Sequence, residues 1–383
     1  MNNKNAFTIC SRCVMDSTVP DIIFDEKGIC NYCKQFDAIA TDSPNNEAGI
    51  KNFENLISKI KKKGGNKKYD LIIGVSGGVD SSYLIHLAVQ KGLRPLAVNV
   101  DNGWHSEIAV SNIKKMLDKL HVDFITYVIN FEEMSNILLS YMKASIPWID
   151  TPSDLALIAA LYKIAAKNNT SYIFVGNSFR TEGKQPNTWT HGDSKQLKYI
   201  QNKFGLKKFK TFPIISPFKL IYYGAFKGIK MIRPFNYLVY DKTTAKALVE
   251  KEYGWRDYGG HHHESAFTKF AIAYWLPKKF GIDKRKVTYS AQVRSGLLER
   301  EKAIALLSQP PYDTSLMEED KIYVLKKLGI TQDEFEKIWN APNKSIYDYP
   351  SYLPLFNKYI KFAMRIFKYI LPFKPMMGYE LEK

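Results

Sequence analysis

After residue 33 the chain contains no cysteine at all. A sequence of 383 residues whose thiols are Cys10, Cys13, Cys30 and Cys33 has none to spare for a nucleophile, a persulfide carrier or a second redox pair. Long apolar runs are also missing. No segment approaches the roughly 20 uninterrupted apolar residues of a helical membrane span, and the start, MNNKNAFTICSRC, lacks the basic and apolar stretches of a secretory signal. The expected location is therefore the cytoplasm. No internal repeat or low-complexity tract is present, which excludes a solenoid or a fibrous chain. Acid is scarce beside base: 38 Asp and Glu face 55 Lys and Arg, giving a formal charge of +17. That excess predicts attraction to something anionic without choosing among nucleic acid, nucleotide, acidic partner and membrane surface.

What remains is the composition of a soluble globular protein, 45% hydrophobic and 24% charged, with room for two or three domains. The cysteines form C-x2-C-x16-C-x2-C, with Gly28 supplying a turn before the second pair. This spacing suits a four-thiolate zinc site better than two disulfides in a chain without a secretory signal. Four sulfurs leave no open position for substrate, so the expected Zn2+ is structural and folds a segment too short to bury its own core.

The ribbon is expected over residues 1–40, followed by a polar linker and one helix over 41–68. From residue 69 short apolar runs alternate with helical periodicity. Strands are expected at 70–75, 94–100, 123–129 and 172–175, with helices at 80–91, 106–120, 131–144 and 153–168 between them. Such alternation predicts an α/β fold, a doubly wound parallel sheet with helices on both faces. The core is placed at 69–190, a substrate or partner region with a helical extension at 191–345, and an amphipathic basic helix at 346–383.

The first strand-to-helix turn of that core reads GVSGGVDSS, residues 74–82. Ligands of doubly wound sheets bind beyond the carboxyl ends of the strands, where a helix N-terminus favours anions. Gly77 and Gly78 allow a sharp turn that aims N–H groups at phosphate oxygens, and Ser76, Ser81 and Ser82 add hydroxyls. There is no Gly-x-Gly-x-x-Gly, which excludes the dinucleotide fingerprint, and no Lys-Ser/Thr after the second glycine, which excludes a Walker loop.

Ser-Gly-Gly-Val-Asp-Ser-Ser resembles the pyrophosphate loop of the N-type (PP-loop) ATP pyrophosphatases, a superfamily that includes asparagine synthetase, NAD synthetase and tRNA-thiolating enzymes. The resemblance implies that Ser76, Gly77, Gly78, Asp80, Ser81 and Ser82 hold the β- and γ-phosphates of ATP with Mg2+. It also implies that ATP is split to AMP and pyrophosphate to activate a carbonyl oxygen. Asp101 and Asn102, closing the second strand, are placed at the adenosine, though an ordinary turn explains them too. Gly176 closes the fourth strand and joins the ATP set. Asn177, Arg180, Glu182 and Lys184 follow in a polar loop facing the substrate, where any one charge also reads as plain surface.

Sulfur transfer in this superfamily uses a cysteine near the nucleotide, and none is available here. That argues for nitrogen. The start Met-Asn-Asn also lacks the terminal cysteine of a built-in glutaminase, so ammonia is expected from elsewhere. Residues 252–307, EYGWRDYGGHHHESAFTKFAIAYWLPKKFGIDKRKVTYSAQVRSGLLEREKAIALL, resemble the corresponding stretch of the N-acetyl sugar amidotransferases of surface-polysaccharide and nonulosonic-acid synthesis. That family implies an N-acetylated sugar, nucleotide-linked or a nonulosonic acid of the pseudaminic or legionaminic type, whose acetamido group becomes acetamidino. Its companions are a glutaminase and a barrel subunit that channels ammonia, similar to the two halves of imidazole glycerol phosphate synthase. Within the segment His262 and Glu264 are candidates for polar contacts at the acetamido group, with a simple helix start as the alternative. Lys284 and Arg285 are candidates for neutralising phosphate charge, with a solvated basic turn as the alternative.

Two basic stretches stay open. From Lys195 to Lys246 there are twelve Lys or Arg and a single acid, Asp241, interleaved with aromatics. The pattern suits a nucleotide-sugar pocket, a docking face, a solvated surface or, less well, nucleic acid. From Leu355 to Leu371 Lys358, Lys361, Arg365 and Lys368 share one helical face, which suits packing on the domain, a partner subunit or peripheral contact with an anionic membrane. The competing function is a tRNA-modifying PP-loop enzyme, by thiolation or amidation.

Overall fold

The structure is a computed structural model that describes residues 7–259 and 263–359. Helices α1 (Asn31–Asp42) and α2 (Glu47–Gly64) precede the sheet. The core then alternates β1 (Leu71–Gly74), α3 (Val79–Gln90), β2 (Pro95–Asp101), α4 (Glu107–Leu120) and β3 (Phe124–Val128). Helices α5 (Phe131–Lys143) and α6 (Thr151–Lys167) lead into β4 (Tyr172–Phe174). Short α7 (Asn187–Thr190), α8 (Ser194–Phe204) and α9 (Pro217–Ala225) separate β4 from β5 (Lys230–Ile232). After α10 (Lys242–Tyr253) the described residues are mainly helical: α11 (Ala266–Phe270), a π-helical stretch Ala271–Lys279, α12 (Arg285–Arg294), α13 (Arg300–Ser308), α14 (Thr314–Leu328) and α15 (Gln332–Trp339).

All five strands are parallel, in the order β3-β2-β1-β4-β5. The expected α/β architecture, its helical C-terminal region and its N-terminal four-cysteine cluster are all present. β1 shows why a short apolar run is enough. Leu71 and Ile73 face one core cluster and Ile72 the other, so both faces are covered and no polar position is needed. Side-chain oxygens open the helices: Asn46 caps α2, Ser106 α4, Asn130 α5 and Asp241 α10.

The strand order reverses between β1 and β4, whose neighbours run outward in opposite directions. A crevice therefore opens where the loops after these two strands part. The glycine-serine loop leaves β1 on one side and Gly176 follows β4 on the other. The sheet takes its fifth strand from residues 230–232, beyond the boundary at 190 suggested by the sequence. The linker expected from residue 41 shrinks to residues 43–46, because α1 runs to Asp42 and α2 starts at Glu47. Of the expected basic tail, Lys358 lies in a helical stretch at 353–359, while Lys361, Arg365 and Lys368 lie outside the described residues.

Candidate active site

The loop after β1 is shaped by its own side chains. Gly77 has φ +80°, and a Cβ there would lie 2.3 Å from the Ala109 carbonyl oxygen, so only glycine fits. Ser76 Oγ accepts from Gly78 N at 3.3 Å, and Ser81 Oγ accepts from Ser76 N at 3.2 Å while donating to the Gly78 carbonyl. Gly78 stands at the N-cap of α3 and no side chain caps that helix. The first-turn N–H groups are left for an anion. A Cβ on Gly176 would come within 2.9 Å of the Asp80 backbone, so this glycine lets β4 approach the start of α3.

Three later segments close over the loop. The Trp255 indole donates to the Gly77 carbonyl at 2.9 Å, and Asn112 bridges that carbonyl to the backbone of Arg256. Tyr258 places its hydroxyl 3.0 Å from where a Gly78 Cβ would stand. Asp80 is gripped on both oxygens: Tyr240 donates to Oδ1 and Lys242 Nζ lies 3.0 Å from Oδ2. Burial alone would lower the Lys242 ammonium, but Asp80, with Glu182 and Glu264 nearby, holds it above the ordinary lysine value. Burial also pushes the Tyr240 and Tyr258 phenols up, and both remain proton donors at neutral pH. Tyr240 carried no sequence signal, and Lys242 stood only as one of the twelve basic residues between Lys195 and Lys246. Trp255 and Tyr258 stood in the quoted 252–307 segment with nothing to mark them.

Beside Tyr258 a cleft of about 590 Å³ opens, lined by Glu182, Lys284 and Arg285 together with Tyr289, Tyr312 and Met317. Aromatic and apolar walls with a few convergent polar groups suit a ligand of sugar size. Lys284 is partly buried, with its Nζ 3.7 Å from the centre of the Trp148 ring. Burial lowers its ammonium, opposed by Asp154, Glu182 and Asp150. Asp150, unmarked in the sequence, accepts from Thr268 Oγ1 at 2.6 Å and from Ser153 Oγ, and burial raises its carboxyl above the usual range. Trp148 in turn donates to Asp154 at 2.7 Å. Lys284 is thus held in an acidic, aromatic nest that opens onto the cleft.

The other expected site residues differ in their surroundings. Arg180 is buried, stacks on Phe179 and donates to the Ser43 carbonyl at 2.6 Å, fastening the α1–α2 connection. Arg285 lines the cleft with its guanidinium tied to Asp283 and to the carbonyls of Leu306 and Gln309. Asn102 is buried, its amide shared between Trp104 N and Ser153 Oγ, and Asp101 accepts from Gly103 N at 2.8 Å, so both shape the turn after β2. Asn177 is exposed, and Lys184 lies by Phe36 and Arg294 on the ribbon side. Glu264 sits where its carbonyl accepts from Ser106 N, next to the loop after β2. His262 lies outside the described residues.

Cys10, Cys13, Cys30 and Cys33 are fully buried, and their sulfurs all lie within 4.8 Å of one another. The 3.8 Å pairs Cys10–Cys33 and Cys13–Cys30 match the edge of a tetrahedron with Zn–S bonds of about 2.3 Å, and are far too long for disulfides. Arg294 of α12 donates to Cys33 Sγ at 3.3 Å and to Cys13 Sγ at 3.2 Å. Arg300 donates to the Cys10 and Cys13 carbonyls, and Lys286 pairs with Asp16 at 2.6 Å. The ribbon is therefore bolted to the helix that starts beside Lys284.

Residues 264–364 match the family model described as "LPS biosynthesis protein WbpG-like, C-terminal domain". This WbpG-like region contains Lys284, Arg285 and the helix that grips the ribbon. No curated protein matches the chain significantly. Among solved structures, the NH3-dependent NAD synthetase from Campylobacter jejuni is 14% identical over 40% of this chain and 72% of its own, with a TM-score of 0.28. The NMN synthetase from Francisella tularensis is 14% identical over 60% and 94%, with a TM-score of 0.27. A predicted subunit of tRNA methyltransferase from Methanocaldococcus jannaschii is 12% identical over 47% and 75%, with a TM-score of 0.28.

Proposed function

We propose that this chain is the synthase subunit of an ATP-dependent amidotransferase that converts the acetamido group of an N-acetylated sugar to an acetamidino group. One observation carries the reading. Tyr258 stands between the glycine-serine loop of the β1–α3 turn and an aromatic cleft lined mostly by residues within the match to a lipopolysaccharide-biosynthesis domain.

The residues fit a triphosphate. The left-handed φ of Gly77 lets the loop turn tightly against Ala109, and the start of α3, which no side chain caps, would supply donors to phosphate oxygens. Asp80 would hold magnesium, exchanging its contact with Lys242 for the ion, and Lys242 would then turn to the phosphates. Magnesium, when bound there, supplies charge neutralisation. In the cleft, the sugar would stack on tyrosine, its amide oxygen directed toward the cradle. That oxygen forms a bond to the α-phosphorus and pyrophosphate departs. Lys284 would meet the phosphate charge as it develops. Ammonia then adds to the amide carbon, loses protons, and the carbon–oxygen bond breaks to release AMP.

Nitrogen is favoured over sulfur as the nucleophile because all four cysteines of the chain are gathered in the ribbon cluster, none at the loop. A glutaminase with a channelling barrel subunit is the proposed ammonia source. The test is pyrophosphate release by the purified chain. The reading expects it to require an N-acetylated sugar and to be accompanied by AMP, whereas release of ADP and phosphate would contradict it.

A further inference from the structure

Helix α9 contributes no buried residue, yet it is largely apolar. Phe218, Ile221, Tyr222 and Phe226 recur at helical spacing and are 56%, 36%, 45% and 79% exposed. Tyr222 and Phe226 stack at 5.6 Å, so the stripe is continuous. Lysines flank it. Lys219 is in the first turn of α9, while Lys227 and Lys230 follow its last turn, where α2 brings Lys63 to within 3.3 Å of where a Gly228 Cβ would be. Lys59 is close enough, with Lys63, to act on Lys230. Among the described residues none of these five ammonium groups has a carboxylate partner, although Lys68, Lys91, Lys207, Lys242 and Lys246 all do.

We propose that α9 and this lysine cluster form a docking surface for an anionic lipid bilayer. The occupant follows from the chemistry of the patch. A helix with an exposed apolar stripe and lysines that have no carboxylate partner among the described residues has the composition of an interfacial helix that seats its rings among acyl chains and its lysines among headgroup phosphates. Protein interfaces, by contrast, are depleted in lysine. No helix among the described residues is long and apolar enough to cross a membrane, so the contact is peripheral. It would hold the enzyme at a surface where lipid-linked or membrane-delivered glycan intermediates are handled.

The test is flotation of the full chain with phosphatidylcholine vesicles that contain or lack phosphatidylglycerol. Binding should require phosphatidylglycerol and reverse in high salt. Lys219→Glu and Lys227→Glu, both exposed, should each weaken it about fivefold, and Phe226→Ser by roughly tenfold or more. Pyrophosphate release with a soluble sugar should be unchanged in these variants, which separates this proposal from the catalytic one. Three results would overturn it: no phosphatidylglycerol dependence, binding that survives all three changes, or loss of a self-associated species by Phe226→Ser in light scattering. The last would make the stripe an interface between copies of the chain.

Discussion

Lys242 Nζ lies 3.0 Å from Asp80 Oδ2 while the Tyr240 hydroxyl holds the other carboxylate oxygen. The residue expected to carry magnesium is therefore already paired with a cation, one that would be free to meet phosphate if the ion took its place. Asp80→Asn keeps the shape and should lower pyrophosphate release by about 10²-fold or more while the fold persists. Lys242→Met should lower kcat by a comparable factor. If Lys242→Met were as active as the parent, the cation would serve only to hold Asp80.

The glycines of the crevice make separable predictions. Gly77→Ala forces a side chain onto the Ala109 carbonyl at a left-handed φ, and should cost about 1–3 kcal/mol of stability along with activity. Gly176→Ala presses instead on the backbone of Asp80 and Ser81. It should reduce kcat more than it reduces Tm. Thermal melts run beside single-turnover assays distinguish the two.

The ribbon should behave as part of the catalytic body. Metal analysis should find one zinc per chain, and Cys30→Ser should give unstable protein, because Arg294 and Arg300 dock on the cluster it breaks. Arg294→Met removes two charge-assisted contacts to sulfur and should cost about 2 kcal/mol. A metal-free Cys30→Ser protein with an unchanged melt would contradict the structural role.

Lys284 should mark the pH profile. Burial lowers its ammonium, so it loses its charge at a lower pH than an ordinary lysine. If the charged form meets the phosphate, sugar-dependent ATP–pyrophosphate exchange, which needs no ammonia, should fall on the alkaline side below the usual lysine range. Lys284→Arg cannot titrate there, so its residual activity should lose that limb. An unchanged limb in the variant would assign the titration to another group.

Much of this was legible in local sequence. The first four strands and the helices between them lie within a residue or two of their expected bounds, because apolar periodicity and capping residues act locally. The cysteine spacing likewise contains the cluster, since each knuckle closes over three residues. β5 was not legible: Lys-Met-Ile is too short and too basic to signal a strand, and only its pairing with β4 makes it one. Tyr240, Lys242, Trp255 and Asp150 reach the site through tertiary packing that no spacing encodes. The inward turn of Arg180 to the Ser43 carbonyl was not legible either, since a charge in a polar loop gives no sign of it.

The proposed use of ammonia rests on where the thiols are. The isolated chain should use free ammonia and be inert with glutamine, and its activity should rise with pH as ammonium gives up its proton. Adding a separate glutaminase and its channelling partner should restore glutamine use and flatten that dependence. Glutamine-driven turnover by the purified chain alone would contradict the assignment.

The most direct test of the central claim is the mass of the product. The chain is incubated with ATP, magnesium, ammonium and a panel of nucleotide-linked and free N-acetylated sugars, and each sugar is weighed before and after. The account predicts one sugar that exchanges its amide oxygen for NH, losing the small mass difference between them, takes up label from ¹⁵N-ammonium, and appears in equal amount with AMP. Unlabelled sugar throughout, or AMP formed instead with a modified RNA, would contradict it.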